Sequence, residues 1–170
     1  MKMTFDEIIK TRYSCRKFKA DKIKREDILK VLEAGRVAPT AVNRQPQRIF
    51  VIESEAGLKT VDECTKYGFG APVNFLICYD KEASWHRRAD NKDHGDIDAA
   101  IVTTHMMLKA WELGFGTTWV CAMDAEKTRE VFNIPDNYEI MGFLPMGVPA
   151  EDAQPAKMHY ERNELNVKYL

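Results

Sequence analysis

The chain has 170 residues, of which 45% are hydrophobic and 30% charged, and this composition predicts one compact domain over residues 1–170. Its 25 Lys and Arg residues nearly balance 26 Asp and Glu residues, so no overall charge favours nucleic acid or an anionic membrane as a partner. No apolar run approaches the roughly 20 residues of a membrane span, and the N-terminal sequence lacks the apolar stretch of a signal peptide. We therefore expect a cytoplasmic protein.

Cysteine and histidine spacing argues against disulfides and metal ions. The four cysteines, Cys15, Cys64, Cys78 and Cys121, are far apart and form no CxxC pair, which favours reduced thiols. The histidines at positions 86, 94 and 105 do not pair at the spacing of metal ligands. We expect neither a structural disulfide nor a metal site.

The first two predicted elements are helices. Thr4 and Glu7 have the spacing of a capping box, which predicts a short helix reaching about Arg12. Residues 25–37 have the apolar periodicity of a second helix that ends before Pro39. The side chains expected to be buried are Phe5, Ile8 and Ile9 in the first helix and Ile28, Leu29, Leu32 and Val37 in the second.

Residues 12–18, RYSCRKF, form a basic segment at the end of the first helix. Arginine offers a planar set of donors that matches phosphate oxygens, and a serine hydroxyl adds a neutral donor. The segment therefore suits phosphate binding. An equally ordinary interpretation is that its charges are solvated and complement the helix dipole.

Residues 38–47 form an amide loop that contains two prolines and carries Thr40, Asn43, Gln45 and Gln47. Amide side chains donate and accept hydrogen bonds at once, which suits recognition of a heterocycle. The alternative is a turn whose amides satisfy its own backbone.

The rest of the chain alternates strands with helices. Strands are predicted over residues 48–53, 73–79, 117–120 and 139–148, and the apolar run VNFLICY at 73–79 indicates a strand covered by helices on both faces. Ser54 and Asp124 are predicted caps of helices that reach about Tyr67 and Phe132.

The longest predicted helix begins near Asp96 and ends at the glycine stop Gly114. Apolar residues recur along it at steps of three and four, which predicts one broad buried face. The residues expected on that face are Ile97, Ala100, Ile101, Thr104, Met107, Leu108 and Trp111.

No GxGxxG turn, phosphate-binding GxxxxGK[ST] loop or GxSxG motif occurs, and no nucleophile with a base and an orienting acid is evident. An enzyme without such groups can rely on a bound cofactor for its chemistry.

Four segments of the chain are similar, in order and spacing, to one known pattern. Residues 12–18 resemble RRSxRxF, and residues 39–46, PTAVNRQP, resemble PSxxNxQP. Residues 98–100, DAA, followed by LGFGTTWV at 113–120, resemble iDaa…GlGtcWi, and PMGVP at 145–149 resembles a closing strand and turn. This pattern is that of the FMN-dependent nitroreductases in their short single-domain form.

The resemblance implies an α+β sandwich: a mainly antiparallel sheet with helices on both faces, in a homodimer that exchanges its C-terminal tails and binds FMN at the interface. It implies that the FMN phosphate and ribityl chain are held by residues at the basic segment and by one in the tail. It also implies that part of the amide loop crosses the dimer and that the backbone after Trp119 lies at the flavin ring edge. The implied cofactor-binding residues are Arg12, Tyr13, Ser14, Arg16, Pro39, Thr40, Ala41, Asn43, Gln45, Cys121, Ala122 and Arg162.

The expected activity is transfer of hydride from NADH or NADPH to the flavin and then to a small acceptor such as a nitroaromatic or quinone, with no catalytic protein side chain. Cys121 stands where the family usually has glycine, and Gln47 where it often has an aromatic residue. Alternatives are a flavin-dependent reductive dehalogenase or ene-type reductase, a non-catalytic FMN storage or sensing module, and thiol redox chemistry at Cys121 or Cys15.

Overall fold

The computed structural model describes residues 3–170. The helices in that range are α1 (Phe5–Thr11), α2 (Arg25–Arg36), α3 (Glu55–Cys64), α4 (Gly95–Glu112) and α5 (Ala125–Val131). The strands are β1 (Gln47–Ile52), β2 (Val73–Asp80), β3 (Gly116–Thr117) and β4 (Tyr138–Gly147), and two short 3-10 helices are Ala41–Asn43 and Lys157–Tyr160. The predicted order of helices and strands is confirmed.

The predicted helix starts are also confirmed by their caps. At α1 the Thr4 and Glu7 side chains satisfy each other's backbone amides, as a capping box requires. The hydroxyl of Ser54 accepts from the third residue of α3, and the carboxylate of Asp124 accepts from the third residue of α5. At the other end, α3 stops at Cys64, three residues short of the predicted Tyr67.

The four strands form one antiparallel sheet in the order β1-β2-β4-β3. The register between β2 and β4 shifts by one residue beside Ile77, which produces a β-bulge. Gly142 lies at this bulge with a φ of 146°, and a Cβ there would lie 2.4 Å from the carbonyl oxygen of Val120. Only glycine fits that close approach, through which residue 120 pairs with β4.

Helices cover both faces of the sheet, as predicted. Alternate residues of β2 point to opposite faces: Phe75 and Ile77 pack with α2 and α4, whereas Leu76 and Cys78 pack with α3 and with residues around α5. All of these β2 side chains are buried, which explains the uninterrupted apolar run in the sequence.

The predicted buried face of α4 is wrong, because none of the seven residues expected on it is fully buried. Five of them are half-buried: Ala100, Ile101, Met107, Leu108 and Trp111. The stripe that packs against the sheet and α2 is Asp98, Ala99, Val102, Thr103, Met106 and Ala110. Ile97 is 42% exposed and Thr104 is exposed, although both were expected inside. Because α4 is apolar around much of its circumference, periodicity does not show which stripe faces the sheet. The observed stripe has smaller residues, which let α2 approach so closely that a Cβ on Gly35 would lie 2.9 Å from Met106 Cγ.

Other expected core residues lie at the surface of the protomer. In α1, Phe5 is 67% exposed and Ile9 is also exposed, so Ile8 is the buried residue of this helix. In α2 the buried stripe is Ile28, Val31 and Gly35, so Leu29 and the following Val37 are exposed. The predicted strand over residues 117–120 is also shorter, because only Gly116–Thr117 forms β3.

The C-terminal segment follows the surface. Lys17 and Lys19 form ion pairs with Asp152 and Glu151, and beyond the 3-10 helix every residue from 161 to 170 is exposed. Within residues 3–170, no helix has both the length and the apolar character needed to cross a membrane.

Candidate cofactor-binding site

The basic segment runs extended beside β3, and its side chains alternate between two faces. Ser14 pairs with β3 in a parallel bridge, and the Cys15 amide donates to a β3 carbonyl at 2.9 Å. Tyr13 and Cys15 are buried, whereas Arg12 and Ser14 are partly exposed and Arg16 is exposed. Because successive side chains of an extended chain point in opposite directions, Arg12, Ser14 and Arg16 share the outward face.

These three side chains are free to bind an anion. The Arg16 guanidinium donates to the carbonyl oxygen of Ser14 at 3.1 Å. Among residues 3–170, no carboxylate pairs with Arg12 or Arg16, in contrast to the paired Lys17 and Lys19 that follow. Two unneutralised guanidinium groups and a hydroxyl on one face are a donor set that fits a phosphate dianion.

Tyr13, predicted as a cofactor residue, directs its side chain to the other face. Its ring packs edge-on against Trp111 and His159, with centroid distances of 5.2 and 6.3 Å, and its hydroxyl donates to Ala153 at 3.4 Å. Burial raises the pKa of the Tyr13 phenol. The Tyr13 side chain therefore anchors the C-terminal segment beside the basic segment, and only the Tyr13 backbone is available to contact a ligand.

Arg162, predicted in the tail, follows His159 by three residues and is exposed. Three residues of extended chain span about 10 Å, so contact of the His159 ring with Tyr13 keeps Arg162 near the basic segment of its own chain. Within residues 3–170, its guanidinium donates only to the carbonyl of the preceding residue, at 2.8 Å.

The amide loop has an unusual backbone. Val42, Asn43 and Gln45 all have positive φ, at 51°, 54° and 51°. For a β-branched residue such as Val42 this conformation is strained, at about 1–3 kcal/mol. Inside the loop the backbone N–H of Gln45 donates to the Thr40 hydroxyl at 3.1 Å, and the side-chain amide of Gln45 donates to Asn43 Oδ1 at 3.0 Å. The Gln45 side chain also donates to the carbonyl oxygen of Asn43 at 3.4 Å, so one amide of the loop contacts the loop's own backbone, as in the alternative interpretation. Pro39 and Val42 remain exposed.

Asp98 links the amide loop to α4, and the sequence did not predict this role. Its Oδ1 accepts from the Ala41 amide at 2.8 Å, and the residue is only 2% exposed. Burial raises the pKa of the Asp98 carboxyl, and the Ala41 N–H opposes that shift. The signals in the sequence are an acidic residue in the first turn of a mainly apolar helix and its place in the DAA motif.

The basic segment and the amide loop lie at opposite ends of α4. At the C-terminal end, Trp111 Nε1 donates to Thr11 Oγ1 at 2.9 Å, which places the start of the basic segment there. At the N-terminal end, Asp98 holds the amide loop. Asp98 and Trp111 are thirteen residue steps apart on the helix, or roughly 20 Å at about 1.5 Å per step. The protomer therefore does not bring these two predicted parts together.

Cys121 and Ala122 form an exposed turn after β3. Flanking bonds hold it: Val120 pairs with β4, and the Thr65 hydroxyl donates to the Ala122 carbonyl at 2.7 Å. Within the described chain, neither the Cys121 nor the Ala122 amide donates a hydrogen bond. A depression of about 370 Å³ adjoins this turn and is also lined by Lys66 and Tyr67, which the sequence did not indicate.

All four cysteines are free thiols. Cys15 is fully buried and its Sγ donates to the Lys17 carbonyl, while burial raises the pKa of Cys78 to about 12. Cys121 is exposed. Thiol chemistry at Cys15 is therefore disfavoured by its inaccessibility. In residues 3–170, no three His, Cys, Asp or Glu side chains gather as metal ligands would.

An apolar groove of about 890 Å³ runs between α1 and α4. Its lining includes Phe5, Ile97, Ile101, Thr104 and Leu108, and His105, Lys109 and Glu112 supply its polar groups. It therefore contains much of the α4 face that the sequence predicted to be buried.

Comparison with known proteins identifies the class to which this fold and site belong. The profile of the Nitroreductase family matches residues 9–67 and 63–148. A crystal structure of a nitroreductase family protein from Clostridium difficile 630 superposes with a TM-score of 0.89 at 41% identity, over 96% of this chain and 95% of that chain. The chain therefore belongs to the nitroreductase family, and the predicted α+β sandwich, an antiparallel sheet with helices on both faces, is confirmed.

Two further proteins are similar to this chain over most of its length. A Methanothermobacter thermautotrophicus protein provisionally named NADH dehydrogenase/NAD(P)H nitroreductase is 28% identical, over 95% of this chain and 88% of that protein. A provisionally assigned nitroreductase from Exiguobacterium sibiricum 255-15 was crystallised in complex with FMN. Its structure has a TM-score of 0.81 at 23% identity, over 91% of this chain and 92% of that one, and shows the shared fold.

Proposed function

We propose that the protein is an FMN-dependent NAD(P)H oxidoreductase. The observation that carries the proposal is the outward face of the basic segment, where Arg12, Ser14 and Arg16 offer donors that no carboxylate in residues 3–170 neutralises. The chemistry that FMN supplies when bound is two-electron transfer from NADH or NADPH to a small acceptor such as a nitroaromatic or a quinone.

The residues of this chain would bind and orient the cofactor. Arg12, Ser14 and Arg16 would hold the phosphate through charge-assisted hydrogen bonds worth about 1.5–3 kcal/mol each, and Arg162 would add a further positive charge. The backbone amides of Cys121 and Ala122, which donate to no group in residues 3–170, would donate to polar atoms at the ring edge and stabilise negative charge there. No protein acid or base is required.

The proposal includes a homodimer. The basic segment and the amide loop lie roughly 20 Å apart along α4, so a second copy is needed for both to reach one cofactor. The apolar groove between α1 and α4 offers a large surface for that copy, and the exposed tail contains Leu165, Val167, Tyr169 and Leu170. Each site would then combine the basic segment of one protomer with Pro39, Thr40, Ala41 and Asn43 of its partner's loop. Gln45 would stay with its own loop, where its side chain donates to Asn43 Oδ1.

Mixed dimers test this arrangement. Arg12→Ala/Arg16→Ala chains carry one affinity tag, chains with Thr40→Ala and Asn43→Ala carry another, and dimers with both tags are isolated. If each site joins segments from two protomers, one site receives all the substitutions and the other receives none. We expect about half of the wild-type FMN content in mixed dimers and less in either variant dimer. Mixed dimers no better than the two variants would show that each site belongs to one protomer.

A visible spectrum tests the activity. Wild-type protein incubated with FMN and desalted is expected to retain a flavin spectrum that bleaches anaerobically with one equivalent of NADH or NADPH. Retained flavin that neither nucleotide reduces would instead favour a storage or sensing module. Protein that retains no flavin would refute the proposed function. Product analysis with nitroaromatic, quinone, halogenated and enone acceptors then separates the reductase chemistries.

A further inference from the structure

Asp98 is a buried carboxylate whose own contacts do not account for its burial. Oδ1 accepts one hydrogen bond, from Ala41, and Oδ2 is buried without a hydrogen-bond partner among the described residues. Burying an ionised carboxylate is costly unless several donors compensate it. The favourable interaction of an acidic group with the start of α4 is already available to the exposed Asp96, without the cost of burial.

The backbone N–H that donates to Asp98, that of Ala41, belongs to the strained amide loop. Across residues 3–170, the bond between Ala41 and Asp98 is the only hydrogen bond that joins residues 40–44 to a residue outside the amide loop. The Thr40–Gln45 bond maintains the curvature of the loop but does not fix its position on α4. Val42, left-handed and 76% exposed, forms the tip and contributes no buried surface that could hold the loop in place.

We propose that Asp98 is a positioning residue that fixes the amide loop at the N-terminal end of α4, so that Thr40, Ala41 and Asn43 meet the cofactor held by the partner protomer. This inference rests on the proposed function, because it assumes FMN between two protomers. It adds to that function a buried group that touches no cofactor and yet sets the cofactor affinity of the neighbouring chain.

Three substitutions separate positioning from general stability. Asp98→Ala removes the acceptor, Asp98→Asn keeps an oxygen for the Ala41 amide, and Asp96→Ala removes a neighbouring charge from the same helix turn. We expect Asp98→Ala to weaken FMN binding about tenfold or more, the size expected for loss of one charge-assisted hydrogen bond. Asp98→Asn is expected to stay within about threefold of wild type, since the acceptor remains, and Asp96→Ala is expected to match wild type.

A second variant removes the other partner of the bond. Thr40 has an extended backbone, with φ −132° and ψ 158°, which suits a residue before proline. Ala41→Pro therefore deletes the donor while leaving α4 and its carboxylate intact. Because both substitutions break the same bond, Asp98→Ala and Ala41→Pro are expected to weaken binding by less together than the sum of their separate effects.

FMN dissociation constants are measured on apo-protein by quenching of flavin fluorescence, with circular dichroism as a check on folding. Asp98→Ala or Ala41→Pro with wild-type affinity would overturn the inference, as would full additivity or an Asp98→Asn variant as weak as Asp98→Ala. If Asp98→Ala does not fold, Asp98→Asn and Ala41→Pro give the answer. Failure of the wild type to bind FMN would refute the proposed function itself.

Discussion

The two ends of α4 carry the two halves of the candidate site, and they are built in different ways. At the C-terminal end, the basic segment is a regular extended chain beside β3, with alternate side chains inside and outside. At the N-terminal end, the amide loop has three residues with positive φ and one hydrogen bond to α4. The basic segment presents its charged side chains from a regular backbone. The amide loop instead has a strained backbone and a hydrogen bond that attaches it to α4.

The largest effect is expected at the basic segment. In Arg12→Ala/Arg16→Ala, the loss of two charge-assisted contacts should weaken FMN binding by roughly 100-fold to 10,000-fold. Turnover of the fully loaded enzyme should change less, because neither arginine is placed at the reacting ring. The measurements are FMN content after desalting and the rate at saturating FMN. Lys17→Ala is the matched control, since Lys17 is already paired with Asp152. Full FMN retention by the double variant would show that the phosphate is bound elsewhere.

The next effect concerns the surface between the two ends. Thr104 is exposed in the protomer and lies in the α1–α4 groove, so Thr104→Glu places a charge there without disturbing the core. We expect dimer affinity to fall about 100-fold or more, because each dimer would bury two unpaired charges. Light scattering after size exclusion measures this change.

The control for the groove substitution is Ala125→Glu, an exposed position on α5 at the opposite face of the sheet. It should leave the oligomeric state unchanged. If the Thr104→Glu protein keeps the wild-type mass and FMN content, the groove is not part of the dimer interface.

At the amide-loop end, Asp98→Asn should raise the free energy of unfolding at neutral pH, by on the order of 1 kcal/mol. Burial raises the pKa of Asp98 in the folded state, so its charge destabilises the fold above that pKa. As the pH falls through the folded pKa towards the ordinary value for aspartate, the folded protein takes up the proton and this penalty disappears.

The advantage of Asp98→Asn should therefore shrink towards about pH 4. Urea unfolding at several pH values measures it, with Asp96→Asn as control. His94, Asp93 and Asp96 also act on this carboxylate, so the comparison is made as a difference between variants at each pH. A gap that widens with acidification would contradict the assignment.

The smallest effect is expected at the loop tip. Asparagine tolerates a left-handed backbone better than valine, and Val42 is exposed, so Val42→Asn should stabilise the protein by roughly 1 kcal/mol. Thermal unfolding tests this, with the exposed Val37→Asn as control, because Val37 has an ordinary helical backbone. A stability below that of wild type would mean that the tip has contacts beyond its own chain.

The same contrast explains what the sequence could predict. Helix starts were predictable because Thr4, Ser54 and Asp124 cap through local contacts. The basic segment was recognisable because the phosphate binding proposed for it depends on residue type. The buried stripe of α4 was not predictable, since Ala99 and Val102 compete with Ile97 and Ile101 for the sheet and only the close approach of α2 decides between them. The positive φ of Val42 goes against its residue preference, and the bond from Ala41 to Asp98 spans 57 residues.

The separation of the two half-sites along α4 has a consequence for how the protein behaves on dilution. If each FMN is held by two chains, cofactor binding and subunit association stabilise each other, and each shifts the other by mass action. Flavin content would then fall as the protein is diluted below its dimer dissociation constant, even at a fixed concentration of FMN. A newly synthesised chain would remain without cofactor until it met a second copy, so that cellular activity would rise more steeply than the amount of protein.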